Sequence, residues 1–465
     1  MPEWPERDPS GSIRDALWLT TLALALRLAL VVWAKDRFPP ADDGAFYHVV
    51  AQRIAHGAGY TWLWPDGAVS YAAHYPVGYP ALLGLVYALF GARPVVAMVA
   101  NAVLGALAVY AGQRAVALRG TRRQALLAGL LLALHPGLVC YTPALMTEGV
   151  SAELLVIAAW LALRVGSGRG ALGRLALLGV CAGLLTLLRP QLLILAPVFG
   201  FFAASSGHAR YSERLFRALL VGVMAVCVCL PWTLRNCARM DRCVFVSANG
   251  GWNLLIGSAP EANGAWIPIE GQTVPPECRN VFGEAEKDRC FGHAGLAHIR
   301  GNLAGFLALV PRKLSVTFDY FGAPGHYLHT SNALAFGDTA KLWLGIVETV
   351  WERLVLLLAI MQTARLGSAR RPGSLIAALP AALFALLRSG YLAYLGFVLS
   401  ALLSGKELLK RPLLALAASA VLATALTHAL FFGAGRYGFV CAALLCLAGF
   451  RPNDSFDSQG QKQRY

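Results

Sequence analysis

The chain has 465 residues, of which 57% are hydrophobic and 14% charged, with a mean hydropathy of +0.56 and a net charge of +15. Soluble domains carry about 25% charged residues, so this composition excludes a water-soluble globule, along with intrinsic disorder, a disulfide miniprotein and a collagen-like fibre. Apolar runs near or beyond the roughly 18 to 20 residues of a spanning helix recur throughout, which predicts an all-α polytopic membrane protein.

The positive charge lies between these runs. Arg7 and Arg14 precede the first. Clusters follow at Arg119, Arg122 and Arg123; at Arg164, Arg169 and Arg174; and at Arg210, Arg214 and Arg217. Two more stand at Arg365, Arg370 and Arg371 and at Lys406, Lys410 and Arg411, before a tail that begins at Arg451. The positive-inside rule places all of these in the cytoplasm, with both termini, where they meet anionic lipid headgroups. A nucleic-acid partner would need its charge gathered on one soluble domain, and the sequence has none.

With those loops inside, the rest follows in chain order. Ala16–Ala34 runs outward as an anchor, its flank acidic and without a small-residue cleavage site. Its Arg27 is an intramembrane charge that needs a partner. Residues 35–94 form a first outer loop. Within it Val77–Gly91 is apolar but only about 15 residues long, and parity lays it along the outer interface. Val95–Leu118, Gln124–Tyr141, Thr147–Leu163, Leu175–Leu188, Gln191–Ser205 and Ala218–Thr233 then cross in turn. A large outer loop, 236–341, precedes Leu342–Thr363, a hairpin over Ser374–Leu403 turning at Arg388–Gly390, Pro412–Phe432 and Gly438–Gly449. That makes about twelve crossings, divided into an N-terminal module 1–235, the loop, C-terminal helices 342–450 and a cytoplasmic tail 451–465.

Cys181, Cys227, Cys229, Cys441 and Cys446 fall in spans and read as packed thiols. Cys237, Cys243, Cys278 and Cys290 fall in the large loop, an oxidising compartment in a bacterial envelope protein. Cys237–Cys243 with Cys278–Cys290 is one of three possible pairings. Zinc spacings, a Walker loop and a dinucleotide glycine motif are absent from the sequence.

Ionisable groups at a membrane face are costly and are functional candidates. Asp42 and Asp43 stand at the start of an amphipathic helix whose apolar residues Phe46, Val49, Val50 and Ile54 keep helical spacing, with Tyr47 among them. Capping explains one such acid; a second, directly above the bilayer, suits proton transfer from an acceptor hydroxyl. His74, Tyr75 and Tyr79 belong to a dense aromatic and proline segment, where tyrosine also serves as a headgroup anchor. Glu148 lies at the mouth of the third and fourth spans, where solvation or helix capping is the plain alternative. Arg189, Arg235 and Arg436 sit at outer helix ends, against the positive-inside bias, and guanidinium groups suit phosphate oxygens. Asn253, after Gly250-Gly251, is placed to approach a sugar, although the glycines also serve a turn.

These motifs, in order, resemble the GT-C superfamily of polyprenyl-phosphate-dependent glycosyltransferases. They are the acidic pair at 42–43, HYPVGYP (74–80), LMTEG (145–149), LLRP (187–190), PWTLRN (231–236), SANGGWNLLIGS (247–258) and GRY (435–437). The branch with lipid A aminoarabinose transferases and protein mannosyltransferase-like enzymes is the most similar. The resemblance implies that Asp42 or Asp43 is the acid acting on the acceptor hydroxyl and that Glu148 lies near the donor phosphate or a metal. It assigns Arg189 to the lipid phosphate and Arg436 and Tyr437 to the donor head. A divalent cation, if one is used, falls to Asp42 and Glu148. One departure stands: His74-Tyr75 precede Pro76 where the aminoarabinose transferases carry an acid–lysine pair.

The expectation is an inverting transferase of the outer face of a bacterial inner membrane. It takes a sugar from a polyprenyl phosphate to a lipid, glycan or protein hydroxyl, with Asp42 as base supported by Asp43. Two rivals are a transporter or flippase, which calls for broken helices and charges deep in the spans, and an envelope ligase with a lipid-diphosphate donor. The oligosaccharyltransferase branch is disfavoured, since no WWD-type motif stands in the outer loop.

Overall fold

The computed structural model describes residues 10–166, 170–203, 210–240, 242–366, 373–387 and 389–450. Arg7, Arg169, Arg370, Arg371, Arg388 and the tail from Arg451, all used above to set topology, lie outside the described residues.

The N-terminal half opens with α1 (Ser10–Ala34), then α2 (Asp43–Ala55), a short antiparallel hairpin of β1 (Thr61–Leu63) and β2 (Val69–Tyr71), and α3 (Gly78–Phe90). It continues with α4 (Pro94–Ala117), α5 (Arg122–Ala133), α6 (Pro136–Cys140), α7 (Thr147–Arg164), α8 (Ala171–Leu188), α9 (Leu195–Phe202) and α10 (Tyr211–Arg239). Proline at the first position starts α4 and α6, and a Thr121–Gln124 capping box starts α5. Pro136 also breaks the expected span Gln124–Tyr141 in two.

The large loop is mostly helical: α11 (Gly250–Ser258), α12 (Glu284–Gly301), α13 (Leu303–Phe318) and α14 (Ala323–Ser331). Then come α15 (Asp338–Leu366), α16 (Gly373–Leu386), α17 (Gly390–Leu403), α18 (Pro412–Leu430), α19 (Gly435–Phe439) and α20 (Ala442–Ala448). Among the described residues α1, α4, α8, α10 and α18 are long and apolar enough to cross a membrane by length and composition. The other expected crossings fall on shorter apolar helices such as α16 and α17, or on α7 and α15, which carry buried acids.

The core is built by α1 on α4 and α5, α4 on α7, and α10 on α8 and α9. Buried Arg27 finds its partner in Glu153 of α7, 3.8 Å away. Gly105 of α4 makes the room, since a Cβ there would meet the Arg27 guanidinium. Sequence reasoning missed a second buried polar group: His135, beside the break before α6, lies 3.1 Å from Glu352 of α15, and Glu348 is buried one turn away. These deep ionisable groups, the Arg27–Glu153 pair above all, bear on the requirement set for a transporter.

Against α2 packs α3, turning Tyr79, Leu83 and Tyr87 inward and leaving Leu82, Leu85, Leu89 and Phe90 exposed. That apolar outer face is what an interfacial helix requires. Its first residue, Gly78, nearly touches the end of α8: a Cβ there would stand 2.6 Å from the Leu187 carbonyl carbon. The contact holds α3, and the segment before it, beside Arg189.

Disulfides join Cys237, in the last turn of α10, to Cys243 beyond it, and Cys278 to Cys290 of α12. The large loop meets the membrane helices through fully buried Lys313 of α13, which donates to the Ala429 and Leu430 carbonyls (both 3.3 Å) and lies over the Phe306 ring. It thus satisfies the orphan carbonyls ending α18. Burial pushes the Lys313 ammonium down to about 8. The unfolded chain therefore holds more protons than the folded one between about pH 8 and the ordinary lysine range, so stability rises across that window. Thermal unfolding of detergent-solubilised protein is expected to show wild type gaining on Lys313→Met from pH 7.5 to 9.5; a pH-independent gap would exclude this linkage.

Candidate active site

The first outer loop turns back at Ala41–Gly44, closed by Gly44 N–H donating to the Ala41 carbonyl (2.9 Å). Asp42 occupies the turn with φ 48° and ψ −132°, and is the one non-glycine residue with positive φ among those described. This is the first central position of a type II′ turn, where Gly, Asn and Asp predominate. At the N-cap of α2, Asp42 makes no side-chain capping bond, so helix capping does not account for the acid pair. Its carboxylate is 39% exposed and faces His326 of α14 at 3.9 Å. Burial lowers the His326 pKa, opposed by the pull of Asp42.

Asp43 has other partners. Oδ1 accepts from the Tyr75 hydroxyl (2.7 Å) and Oδ2 from Arg436 Nη1 (2.8 Å). Burial, then the Asp43 carboxylate, hold the Tyr75 phenol well above its ordinary range, so it stays protonated and donates. Arg436 Nη1 also donates to the Tyr327 hydroxyl (2.9 Å) and Nη2 to that of Tyr437 (3.1 Å). Five donors in a fixed fork allow one guanidinium to hold three partners.

Glu148, 2% exposed in the first turn of α7, takes Arg189 at 3.1 Å and lies 3.8 Å from Arg436 Nε. The expected alternative of a solvated or capping glutamate is thereby set aside. Arg189 Nη1 also donates to Thr147 Oγ1 (3.2 Å). Among the described residues, Arg189 Nε and Nη2 make no hydrogen bond and are not sealed from solvent. The guanidinium carbons of Arg189 and Arg436 stand 5.1 and 5.0 Å from the Tyr437 ring centroid, and that ring stacks on His428 at 4.2 Å. Beside Arg189 a shallow recess opens along Leu192, Thr424, Thr427 and Val440.

Residues from five separate segments therefore meet: Asp43 and Tyr75 from the first loop, Glu148, Arg189, Tyr327, and the Arg436–Tyr437 pair. Other expected site residues lie around or away from this cluster. Tyr47 packs its buried ring edge-on to Tyr75 and Tyr79. Tyr79 turns into the core and exchanges a hydrogen bond with Asn101. His74 packs on Tyr75 and Trp252, and burial lowers its pKa.

Arg235 does not join. Its guanidinium donates to the Ala72 and Tyr60 carbonyls (2.9 and 2.6 Å) and lies over Trp232, which pins the first loop to α10. Asn253 sits within α11, and its side chain makes no hydrogen bond among the described residues. The large loop reaches the site through Tyr327 and His326 of α14 and is tied to the first loop by Glu284, whose Oε2 accepts from the backbone N–H of Ala73 and His74 (2.6 and 3.0 Å).

Sequence reasoning missed Tyr327, His326, His428 and Thr147. For the first two a signal existed, Pro324-Gly325-His326-Tyr327, an aromatic and ionisable run like that at 74–80. The arrangement does not suit a metal at Asp42 and Glu148. Asp42 faces a histidine, Glu148 is matched by two arginines, and the described residues form no group of three metal-ligating side chains.

These features define an all-α membrane protein with an acid–arginine cluster at one end of its helices. Residues 74–234, about a third of the chain, match the model of the family described as dolichyl-phosphate-mannose-protein mannosyltransferase. HYPVGYP, LMTEG and LLRP lie inside that segment; the acid pair and Arg436-Tyr437 lie outside it. No curated protein matches the chain.

Among solved structures, the chain is similar to the oligosaccharyltransferase of Archaeoglobus fulgidus in its apo form, with TM-score 0.48, 14% identity, and coverage of 93% of this chain and 49% of that one. It is similar too to the oligosaccharyltransferase AglB of that organism in complex with an inhibitory peptide and a dolichol-phosphate, with TM-score 0.45, 15% identity and the same coverage. The chain thus spans about half the length of these proteins.

Proposed function

We propose that the protein is a GT-C-type glycosyltransferase of the outer face of a bacterial inner membrane, moving a sugar from a polyprenyl monophosphate to an acceptor hydroxyl. The observation that carries this reading is the convergence of Arg189, Arg436, Glu148 and Asp43, with the exposed Asp42 next to Asp43 in the chain. The family similarity over 74–234 supports it.

Asp43 is saturated, since both its oxygens accept strong hydrogen bonds. Its work is to fix Arg436. Asp42 is the base: open to an incoming acceptor, it takes the hydroxyl proton as the acceptor oxygen bonds to the anomeric carbon. The bond from that carbon to the phosphate oxygen breaks on the opposite side, inverting the configuration. The electron pair stays on the leaving lipid phosphate, where Arg189 uses its two uncommitted nitrogens and Arg436 supports it electrostatically. Glu148 holds Arg189 in place, and the lipid chain extends from the phosphate toward the membrane. No step is routed through a metal. The large loop, tied to the first loop by Glu284, closes over the acceptor side.

Arg189→Ala tests the phosphate contact. The apparent affinity for a polyprenyl-phosphate sugar is expected to fall by about tenfold or more, the scale of one lost charge-assisted hydrogen bond, in titrations of purified protein. An unchanged affinity would remove Arg189 from the donor site.

The transporter reading gains from the buried Arg27–Glu153 and His135–Glu352 pairs. It differs in product: a transported donor keeps its sugar–phosphate bond.

A further inference from the structure

Beside the acid–arginine cluster, one pair of ionisable groups stays open to solvent. Asp42 and His326 have 39% and 62% of their side chains exposed, against 2% to 24% for Asp43, Glu148, Arg189 and Arg436. The chain holds this pair face to face. Ser331 Oγ and Asn332 Nδ2, at the end of α14, donate to the Pro39 and Arg37 carbonyls (2.6 and 3.0 Å), just before the turn that carries Asp42. Tyr327, the residue after His326, accepts from Arg436. One short helix thus joins the buried cluster to the exposed aspartate.

An ion pair does not explain this placement. Burial lowers the His326 pKa, so the ring is neutral near pH 7, and exposed pairs contribute little even when charged. At 3.9 Å, His326 Nε2 and Asp42 Oδ2 stand beyond hydrogen-bond distance. Among the described residues neither side chain makes a hydrogen bond elsewhere. The gap fits one guest atom: an oxygen about 2.8 Å from both sees them at roughly a right angle, which suits its proton and one lone pair. The two sides differ in kind. A carboxylate only accepts, and it favours the imidazole tautomer that turns an N–H toward it. A hydroxyl answers both, donating to Asp42 and accepting from His326, with a second lone pair left for bond formation. A side-chain amide nitrogen only donates, so it would leave the His326 N–H unanswered.

We propose that His326 is a binding residue for the acceptor, seating its hydroxyl oxygen between Nε2 and Asp42 Oδ2 and selecting a hydroxyl over an amide. This rests on the transferase reading with Asp42 as base. The hydroxyl proton passes to Asp42 as the oxygen bonds to the anomeric carbon and the bond to the phosphate breaks; the His326 proton stays on the ring. The new bond draws electrons from that oxygen, so the hydrogen bond from His326 gains nothing in the transition state. Its contribution is to acceptor binding and not to turnover.

The test uses the full chain purified in detergent, a saturating polyprenyl monophosphate carrying a radiolabelled sugar, and a lipid and glycan extract of bacterial envelopes over a wide range of dilutions. His326→Phe keeps a ring without a donor. It is expected to raise the half-saturating acceptor concentration by about three- to tenfold, the scale of one hydrogen bond, with maximal rate and donor affinity within about twofold of wild type. His326→Gln restores an N–H and is expected to recover most of that loss. His326 is exposed, so both variants are expected to melt with wild type. An asparagine peptide without hydroxyl side chains is expected to take no label.

Unchanged half-saturation in His326→Phe, a loss confined to maximal rate, equal losses in the Phe and Gln variants, or label on the asparagine peptide would overturn the proposal. Failure of the underlying reading looks different: wild type itself then transfers no sugar from the monophosphate donor. Transfer that falls in Asp42→Asn and is untouched in His326→Phe keeps that reading and removes His326 from the acceptor site.

Discussion

Asp42→Asn is expected to lower sugar transfer by about 10² to 10⁴-fold, the usual contribution of a positioned general base, with little effect on folding. Asparagine matches aspartate in shape and is at home at the positive φ of this turn, and Asp42 caps nothing. The loss should appear in turnover rather than donor affinity, because the Asp42 carboxylate faces His326 and not the arginines. The parallel variant Asp43→Asn should behave differently. It removes the charge that Arg436 and Tyr75 both address, so donor affinity and turnover should fall together. Measured rate and affinity for the two variants decide the assignment; equal turnover by wild type and Asp42→Asn would take Asp42 out of the mechanism.

How far the sequence discloses this site depends on the kind of signal. The acid pair, Glu148, Arg189 and Arg436 were legible because each is an ionisable group at an apolar helix end, where water-facing chemistry does not explain it. Arg235 carries the same signal and has a different fate. Nothing local distinguishes an arginine aimed at a ligand from one that donates to the Ala72 and Tyr60 carbonyls, because that depends on where a distant loop returns. Which aspartate meets Arg436 was equally hidden: past the turn at Ala41–Gly44 the two neighbours take different partners, His326 for Asp42 and Tyr75 with Arg436 for Asp43.

The sequence marks 236–341 only as a large outer loop; its helices α11 to α14 are packed partly by a disulfide and by contacts with α18 and the 431–437 segment, which no local pattern discloses. His135 stands alone in an apolar run, and Glu348 and Glu352, one turn apart on α15, have no partner visible in the sequence; only the fold brings His135 to Glu352.

The second large effect is expected at Arg436. Its guanidinium is shared by Asp43, Tyr327 and Tyr437 and stands close to Glu148. Arg436→Ala leaves two carboxylates without that cation and two hydroxyls without a donor. Transfer should fall by about 10² to 10³-fold, as when a transition-state donor is lost, and stability by about 1 to 3 kcal/mol from the unsatisfied polar groups. Arg436→Lys separates the two effects. A point charge restores electrostatic balance but not the fork, so thermal stability should largely return while transfer stays low. Full recovery of transfer by lysine would reduce the role of Arg436 to its charge alone.

The central claim is that one cavity breaks the bond between a sugar and a lipid monophosphate. It is tested most directly by incubating purified protein with a polyprenyl monophosphate carrying a radiolabelled sugar, together with envelope acceptors, and analysing both products. The mechanism predicts free polyprenyl monophosphate and a labelled acceptor of inverted anomeric configuration, both lost in Asp42→Asn. Recovery of intact donor in every sample, or turnover only with a diphosphate donor, would contradict it.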